Sequence, residues 1–456
     1  MRVGSRFLFV RPGRLIALSI VSVVSVLGAI SLLLSASALQ PPGSEQKDIR
    51  QEWVLARSLV ARSEPYGLID ERPAGHESLK FGPGIPLPLL HPLTDGLVFA
   101  AASLVSYQVF VILWFWFEVV CLFASAHLLS RVVQPHAPFP ASVVVGLGLV
   151  CWSAVATELR LGQLMLVILL LLLLAREALR TNRPVFAGLL IGATLLLKPV
   201  LWPIVVLFAL RRTPRVALSS AALVGCCYLA VAALMGVRAI EFYFRVVGPS
   251  MSKVEGSWVL NISTRAVGRK VFGGTVGVGV QNWIVAPPIV ASAPLAGVTA
   301  IAVPVVVLVA AMVTASRLPD VDDALAVLVC ASILVSPLAW EIDFVLAAFP
   351  VAHLIRRLRD RGYPVRSFST AVLLVTLLLP SSFEWMAISA ALSGQRFSPA
   401  ASLEVPPSLA LLTMVPTIAL LGLSFLIVTL GRSGSREAIV SVSRCAEINQ
   451  GSISSG

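Results

Sequence analysis

This chain of 456 residues is poor in charge. Asp, Glu, Lys and Arg together make up 13% of it, about half the ~25% of a soluble globular domain. With 57% hydrophobic residues and a mean hydropathy of +0.90, that scarcity excludes a soluble enzyme, a disordered chain and a fibre. Acidic residues are the scarcer sign, 23 against 35 basic, for a net charge of +12. Cysteine is sparse and badly placed for cross-linking. Cys121, Cys151, Cys226, Cys227 and Cys330 sit in apolar runs and Cys445 in the C-terminal tail, so no disulfide framework or cysteine metal site is implied. Also missing are heptads, low-complexity tracts, a clear internal repeat, and any Gly-rich phosphate or dinucleotide motif in a strand–helix context. Asp320-Val321-Asp322-Asp323 looks like a nucleotide-sugar metal motif, but it lies in a short loop with no domain around it.

Long continuous apolar runs are what the sequence has in quantity. They predict an all-α polytopic membrane protein, because runs without alternation suit helices and not barrel strands. Twelve candidates stand out: 15–39, 104–129, 138–157, 161–178, 185–197, 199–210, 216–237, 288–314, 324–336, 344–356, 367–384 and 408–430. Several fall short of the ~17–25 residues of a full span, so 185–197 with 199–210 and 324–336 with 344–356 read as hairpins that do not cross fully. Ala36-Ser37-Ala38 resembles a cleavage site, yet the run before it is too long for a signal peptide and reads as an uncleaved first helix.

The positive-inside rule orients the scheme. With the N-terminus in the cytoplasm, the inner segments carry a net +13 and everything else −1. The basic excess is therefore an orientation marker, which removes nucleic acid as a partner. Both termini are expected in the cytoplasm of a multi-pass plasma-membrane protein. Residues 1–430 form one transmembrane domain, with large outer loops at 40–103 and 238–287, and residues 431–456 read as a disordered tail. The inner loops are too short to fold into a catalytic domain, so any chemistry belongs on the outer face.

The first outer loop predicts an amphipathic helix from Asp48 to Arg62, with Ile49, Trp53, Ala56 and Val60 on one stripe, lying on the outer membrane surface. Asp48 would sit at its N-terminus, as a helix cap or as a functional carboxylate. A Pro-rich stretch follows Tyr66, carrying His76 and His91, which read as surface or packing residues. Glu158, Arg160 and Gln163 lie at a sharp outer turn, a solvated ion pair or part of a site. Lys198, between two apolar runs, needs an anion or a watery cavity and is a natural phosphate ligand. Arg265, Arg269 and Lys270 form a basic trio that binds an anionic headgroup or sits in water. Ser336-Pro337-Leu338-Ala339-Trp340 precedes two carboxylates, Glu341 and Asp343, catalytic or paired with arginine. Glu118, inside the second helix, reads as a buried structural partner.

Over about residues 15–350 these features resemble glycosyltransferase family 87, the polyprenyl-phosphate-mannose-dependent mannosyltransferases of the GT-C fold. Asp48 precedes Ala56, Leu59 and Pro65-Tyr66 at the family's spacing, with Arg62 where glycine is common. Gly162-Gln163, Ala187-Gly188 with Gly192, and Leu197-Lys198-Pro199 follow in the family's order. Asn261-Ile262-Ser263 and residues 336–340 resemble two further segments, although Glu341 and Asp343 follow Trp340 where relatives often carry histidine.

The resemblance implies about twelve transmembrane helices with outer-face amphipathic helices. It implies an outer-face transfer of a sugar from a polyprenyl-phosphate donor to a glycolipid or polysaccharide hydroxyl, with membrane lipid as a partner. The mechanism it implies is an inverting single displacement with no metal and no cofactor. A positioned carboxylate serves as base, a role given to Asp48. Positive charge meets the leaving phosphate, from Lys198 with Arg160, Arg265 or Arg269. Gln163, Tyr66, Asn261, Trp340, Glu341 and Asp343 are the expected substrate contacts. Mannose is the usual donor sugar, and arabinofuranose is the alternative. A secondary transporter or lipid flippase is the competing class, but it would favour repeats around a midplane site; a non-catalytic scaffold is a third.

Overall fold

The computed structural model describes residues 12–41, 43–63, 66, 91–211, 213–249, 258–275, 284–394, 403–404 and 406–431. His76, most of the Pro-rich stretch and the tail after residue 431 lie outside the described residues.

The chain is helical almost throughout. α1 (Pro12–Ser37) leads through a short connection to α2 (Arg50–Ala61). Then come α3 (Leu93–Val98), α4 (Tyr107–Val133), α5 (Phe139–Val150), α6 (Ser153–Leu161) and α7 (Met165–Arg180). α8 (Pro184–Leu197), α9 (Trp202–Leu210), α10 (Pro214–Met235) and α11 (Val237–Phe242) follow. The second half holds α12 (Thr264–Phe272), α13 (Ala293–Arg317), α14 (Val321–Val335) and α15 (Ala348–Asp360). It ends with α16 (Val365–Leu378), α17 (Ser382–Leu392) and α18 (Pro407–Gly431). Among the described residues the β structure is one two-residue parallel pairing, Ile284–Val285 with Leu403–Glu404.

Among the described residues five helices, α1, α4, α10, α13 and α18, are long and apolar enough to cross a membrane. The apolar windows of α1, α10 and α13 are only 11%, 17% and 11% buried within the protein. Apolar surface on that scale, turned outward, needs a lipid solvent. The run expected at 138–157 is not one straight span: it is α5 and α6, bent by 80°. The runs at 185–197 and 199–210 become α8 and α9, broken at Lys198. A residue before proline is pushed out of the helical region, and Lys198 sits at φ −155°, ψ 117° ahead of Pro199.

The core runs through α4, α7, α14 and α15. α14 is buried on all sides, from Ala324 to Leu334, as expected of a helix that is apolar all round. The Ala187-Gly188-Leu189-Leu190-Ile191-Gly192 segment of α8 packs on α10. A Cβ on Gly188 would lie 2.3 Å from the carbonyl oxygen of Val216, and the Ser220 hydroxyl donates to the Gly188 carbonyl at 2.6 Å. Small residues four apart let two membrane helices touch backbone to backbone, so this motif holds helices together.

The loops expected to be cytoplasmic converge on one end of the bundle. Arg176 donates twice to Asp322, at 2.9 and 2.6 Å. Arg356 bonds Asp322 and Asp320 at 2.9 and 3.1 Å, and Arg357 and His353 bond Asp323 at 2.9 and 2.6 Å. The aspartates of the metal-like motif are therefore consumed by ion pairs. Removing one partner of a buried pair that has no other counter-charge costs about 3–5 kcal/mol. Asp322 keeps Arg356, so Arg176→Ala is expected to destabilise the detergent-solubilised protein by less, about 1.5–3 kcal/mol for the lost charged hydrogen bonds. An unaltered thermal unfolding midpoint would contradict the role given to this pair.

Candidate functional site

The opposite end of the bundle gathers the residues singled out at the other face. α7 sets the separation: sixteen residues at 1.5 Å each span about 24 Å, with Arg176 near one end and Gln163 just before the other.

Asp48 is placed by backbone. α6 ends on Gly162 in the left-handed region, φ +68°, which glycine adopts without a Cβ penalty. A Cβ there would also press on the Ile49 side chain at 3.1 Å. The tight cap lets the chain before α2 lie against α6. The Asp48 N–H donates to the Leu161 carbonyl at 2.8 Å, and Lys47 Nζ donates to the Leu159 and Arg160 carbonyls at 3.0 and 2.7 Å. Gln163, one residue after the cap, then donates from Nε2 to Asp48 Oδ2 at 2.5 Å. Burial pushes the Asp48 carboxyl above the ordinary carboxylate range. Glu52 adds to that shift, while Gln163, His91 and Lys198 oppose it.

α2 differs from the sequence expectation in two ways. Its helix begins at Arg50 with Ile49 as N-cap and no side-chain cap bond, so Asp48 stands before the helix and does not cap it. Nor does α2 lie on a surface. Arg50, Gln51 and Glu52 are buried alongside Trp53 and Leu55, whereas Val60, placed on the apolar stripe, is 60% exposed. The polar side is covered by protein: α3 packs against it.

That packing creates a cluster the sequence reading missed. His91, expected to be a surface or packing residue, bonds the Glu52 carboxylate through Nδ1 and lies 3.4 Å from Asp95 Oδ2. Glu52 and Asp95 are 1% and 0% exposed. Burial raises Asp95 to about 7 against the pull of His91. Burial opposes the charge on His91, but Glu52 and Asp95 outweigh it and hold the imidazole up to about 10. The available signal was spacing alone: Asp48 with Glu52, and His91 with Asp95, are four apart, each pair straddling the start of a helix.

Lys198 Nζ bonds Asp343 Oδ1 at 3.1 Å, and its charge bears on both Asp48 and Asp95. Asp343 Oδ2 accepts the Trp340 N–H at 3.0 Å. Glu341 points elsewhere, towards Thr157, Ser381 and Arg160, and burial raises its carboxyl; Arg160 itself is exposed and bonds Thr157 at 3.2 Å. Glu158 is no solvated ion pair: it is 0% exposed, and its Oε1 accepts the Met165 and Leu166 N–H groups at 2.5 and 3.1 Å. Four N–H groups open every helix unpaired, and Glu158 takes two of those at the start of α7.

Asn261 clamps the turn after α14, accepting the Ser263 and Ala339 N–H groups at 2.9 and 3.2 Å and donating to Pro337 at 3.1 Å. Tyr66 is buried, donates to the His91 carbonyl at 3.4 Å, and stacks on Phe242 and Tyr243. Trp340 packs on Trp258 at 5.7 Å. Of the basic trio, Lys270 is no surface cation. It bonds the Val259 carbonyl and Thr413 at 2.7 and 2.9 Å, and burial lowers it to about 7. Arg265 and Arg269 are half-buried, and burial, with the Arg269 charge adding to it, lowers Arg265.

The arrangement is a partly buried carboxylate oriented by an amide, with the charges of a lysine and of an acidic histidine cluster acting on it, at one end of an apolar helical bundle. Neither the curated proteins nor the solved structures contain a match to this chain. A family model does: residues 89–337, more than half the chain, match the one described as Glycosyltransferase family 87. The chain belongs to glycosyltransferase family 87 and is a membrane glycosyltransferase.

Proposed function

We propose that this chain transfers mannose from a polyprenyl-phosphate donor to a hydroxyl of a glycolipid or polysaccharide, on the extracytoplasmic face of the plasma membrane. The observation that carries the reading is Asp48, partly buried and oriented by Gln163, with the Lys198 charge acting on it. A base and a cation for the phosphate are the two groups an inverting displacement at a sugar phosphate needs.

In the proposed step, Asp48 takes the proton of the acceptor hydroxyl as its oxygen forms a bond to the anomeric carbon. The anomeric carbon–phosphate oxygen bond breaks on the opposite face, and its electron pair leaves on the phosphate. The phosphodiester becomes a phosphomonoester, so the gain is negative charge, which Lys198 meets. Asp343 holds the ammonium in place. Arg160, Arg265 and Arg269 are the further cations proposed for the donor phosphate. Gln163, Tyr66, Asn261, Trp340 and Glu341 are assigned to the sugar and acceptor, Asn261 through the turn it fixes. The proposed architecture is GT-C-like, with about twelve membrane segments counting the short helices. Both termini are then cytoplasmic and the Asp48 end is outside, as the charge distribution favours.

The test is a panel of labelled polyprenyl-phosphate sugars, mannose and arabinofuranose among them, offered to the purified protein in lipid with a membrane-glycolipid extract. Transfer of mannose is the expected result. Transbilayer movement of donor without transfer would replace this reading with that of a flippase.

A further inference from the structure

Glu52, His91 and Asp95 lie behind Asp48 and take no part in the displacement as proposed. From their geometry we propose that they bind a divalent cation. No sequence motif links these positions: Glu52 and His91 are 39 residues apart.

One ligand atom from each residue lies within 4.8 Å of the other two. Ligands about 2.0–2.2 Å from a cation sit no more than roughly 4.4 Å apart across it, so the three atoms are gathered on the scale of one coordination sphere. The His91 Nδ1 to Asp95 Oδ2 distance of 3.4 Å already matches an edge of such a polyhedron. The His91–Glu52 hydrogen bond would open to admit the ion between them.

Unused acceptors give independent support. Glu52 Oε2 and both oxygens of Asp95 are fully buried and make no hydrogen bond among the described residues. Buried carboxylate oxygens left without a donor are costly, and a cation would satisfy one on each residue, Asp95 Oδ2 otherwise facing His91 Nδ1 at 3.4 Å. Carboxylates favour hard ions and imidazole favours borderline ones, so a mixed set with two carboxylates and one nitrogen suits Mn²⁺ or Zn²⁺. Three protein ligands leave coordination positions open. The ligand chemistry expected there is water or an anionic oxygen of a sugar phosphate; only this last point rests on the donor reading above.

Mn²⁺ alone serves as the probe. After chelator treatment, the purified full-length protein is titrated with Mn²⁺, and electron paramagnetic resonance counts the free ion. The wild type is expected to take up one equivalent, and the Glu52→Gln and Asp95→Asn variants none. Asp48→Asn is expected to keep it, which separates this site from the base assignment. Because a variant could misfold, the wild type carries its own test: pulsed spectra of the bound ion should show coupling to one imidazole nitrogen. No uptake, uptake unchanged in well-folded Glu52→Gln, or bound Mn²⁺ without nitrogen coupling would each overturn the proposal.

Discussion

If Asp48 is the proposed base, Asp48→Asn is expected to abolish sugar transfer while leaving the fold intact, a loss of about 10²–10⁴-fold for removal of a positioned base. The substitution is nearly isosteric. It keeps the backbone bond from Asp48 to Leu161, so packing against α6 should survive and the size-exclusion profile should match the wild type. The amide cannot take a proton from the acceptor hydroxyl. Donor binding should change little, because Lys198 and the arginines are untouched. The pH dependence supplies a second reading. Asp48 must be ionised to act, and burial raises its pKa. The wild-type rate should therefore climb with pH along an acid limb lying above the ordinary carboxylate range. Full transfer by the Asn variant would remove Asp48 from the mechanism.

The second large effect is expected at Lys198. Lys198→Ala removes the cation proposed to meet the developing phosphate charge, and losing one such preorganised group typically costs about 10²–10³ in turnover. It also strands Asp343, whose side chain is 1% exposed, so the single variant should lose stability as well. The double variant with Asp343→Asn separates the two effects. It should recover the unfolding midpoint, since no buried charge is left unpaired, yet stay deficient in donor KM and kcat. A Lys198→Ala protein with an unchanged donor response would refute the assignment.

Local patterns carried much of this arrangement. The apolar runs announced a helical membrane protein, and Lys198-Pro199 announced a break with a cation in it. The Gly162-Gln163 pair marked the turn that turns out to hold Asp48. The errors arose where sequence periodicity cannot see. The stripe on α2 was assigned to lipid because membrane is the default partner for an amphipathic helix, but α3, beyond the Pro-rich stretch, covers the polar side. His91 looked isolated because Glu52 lies far away along the chain. Glu158 looked solvated because turns usually are, and only the geometry reveals that it feeds two amides of α7. The apolar run at 138–157 gave no sign of its 80° bend, since hydropathy records composition and not direction.

The first large loop is pinned at both ends. Lys47 and Asp48 are tied to the last carbonyls of α6, and Glu52 is tied to His91 at the entrance of α3. Asp48 therefore sits on a short stretch, residues 47–52, fastened to α6 at one end and to the chain just before α3 at the other, as a rung is held by two rails.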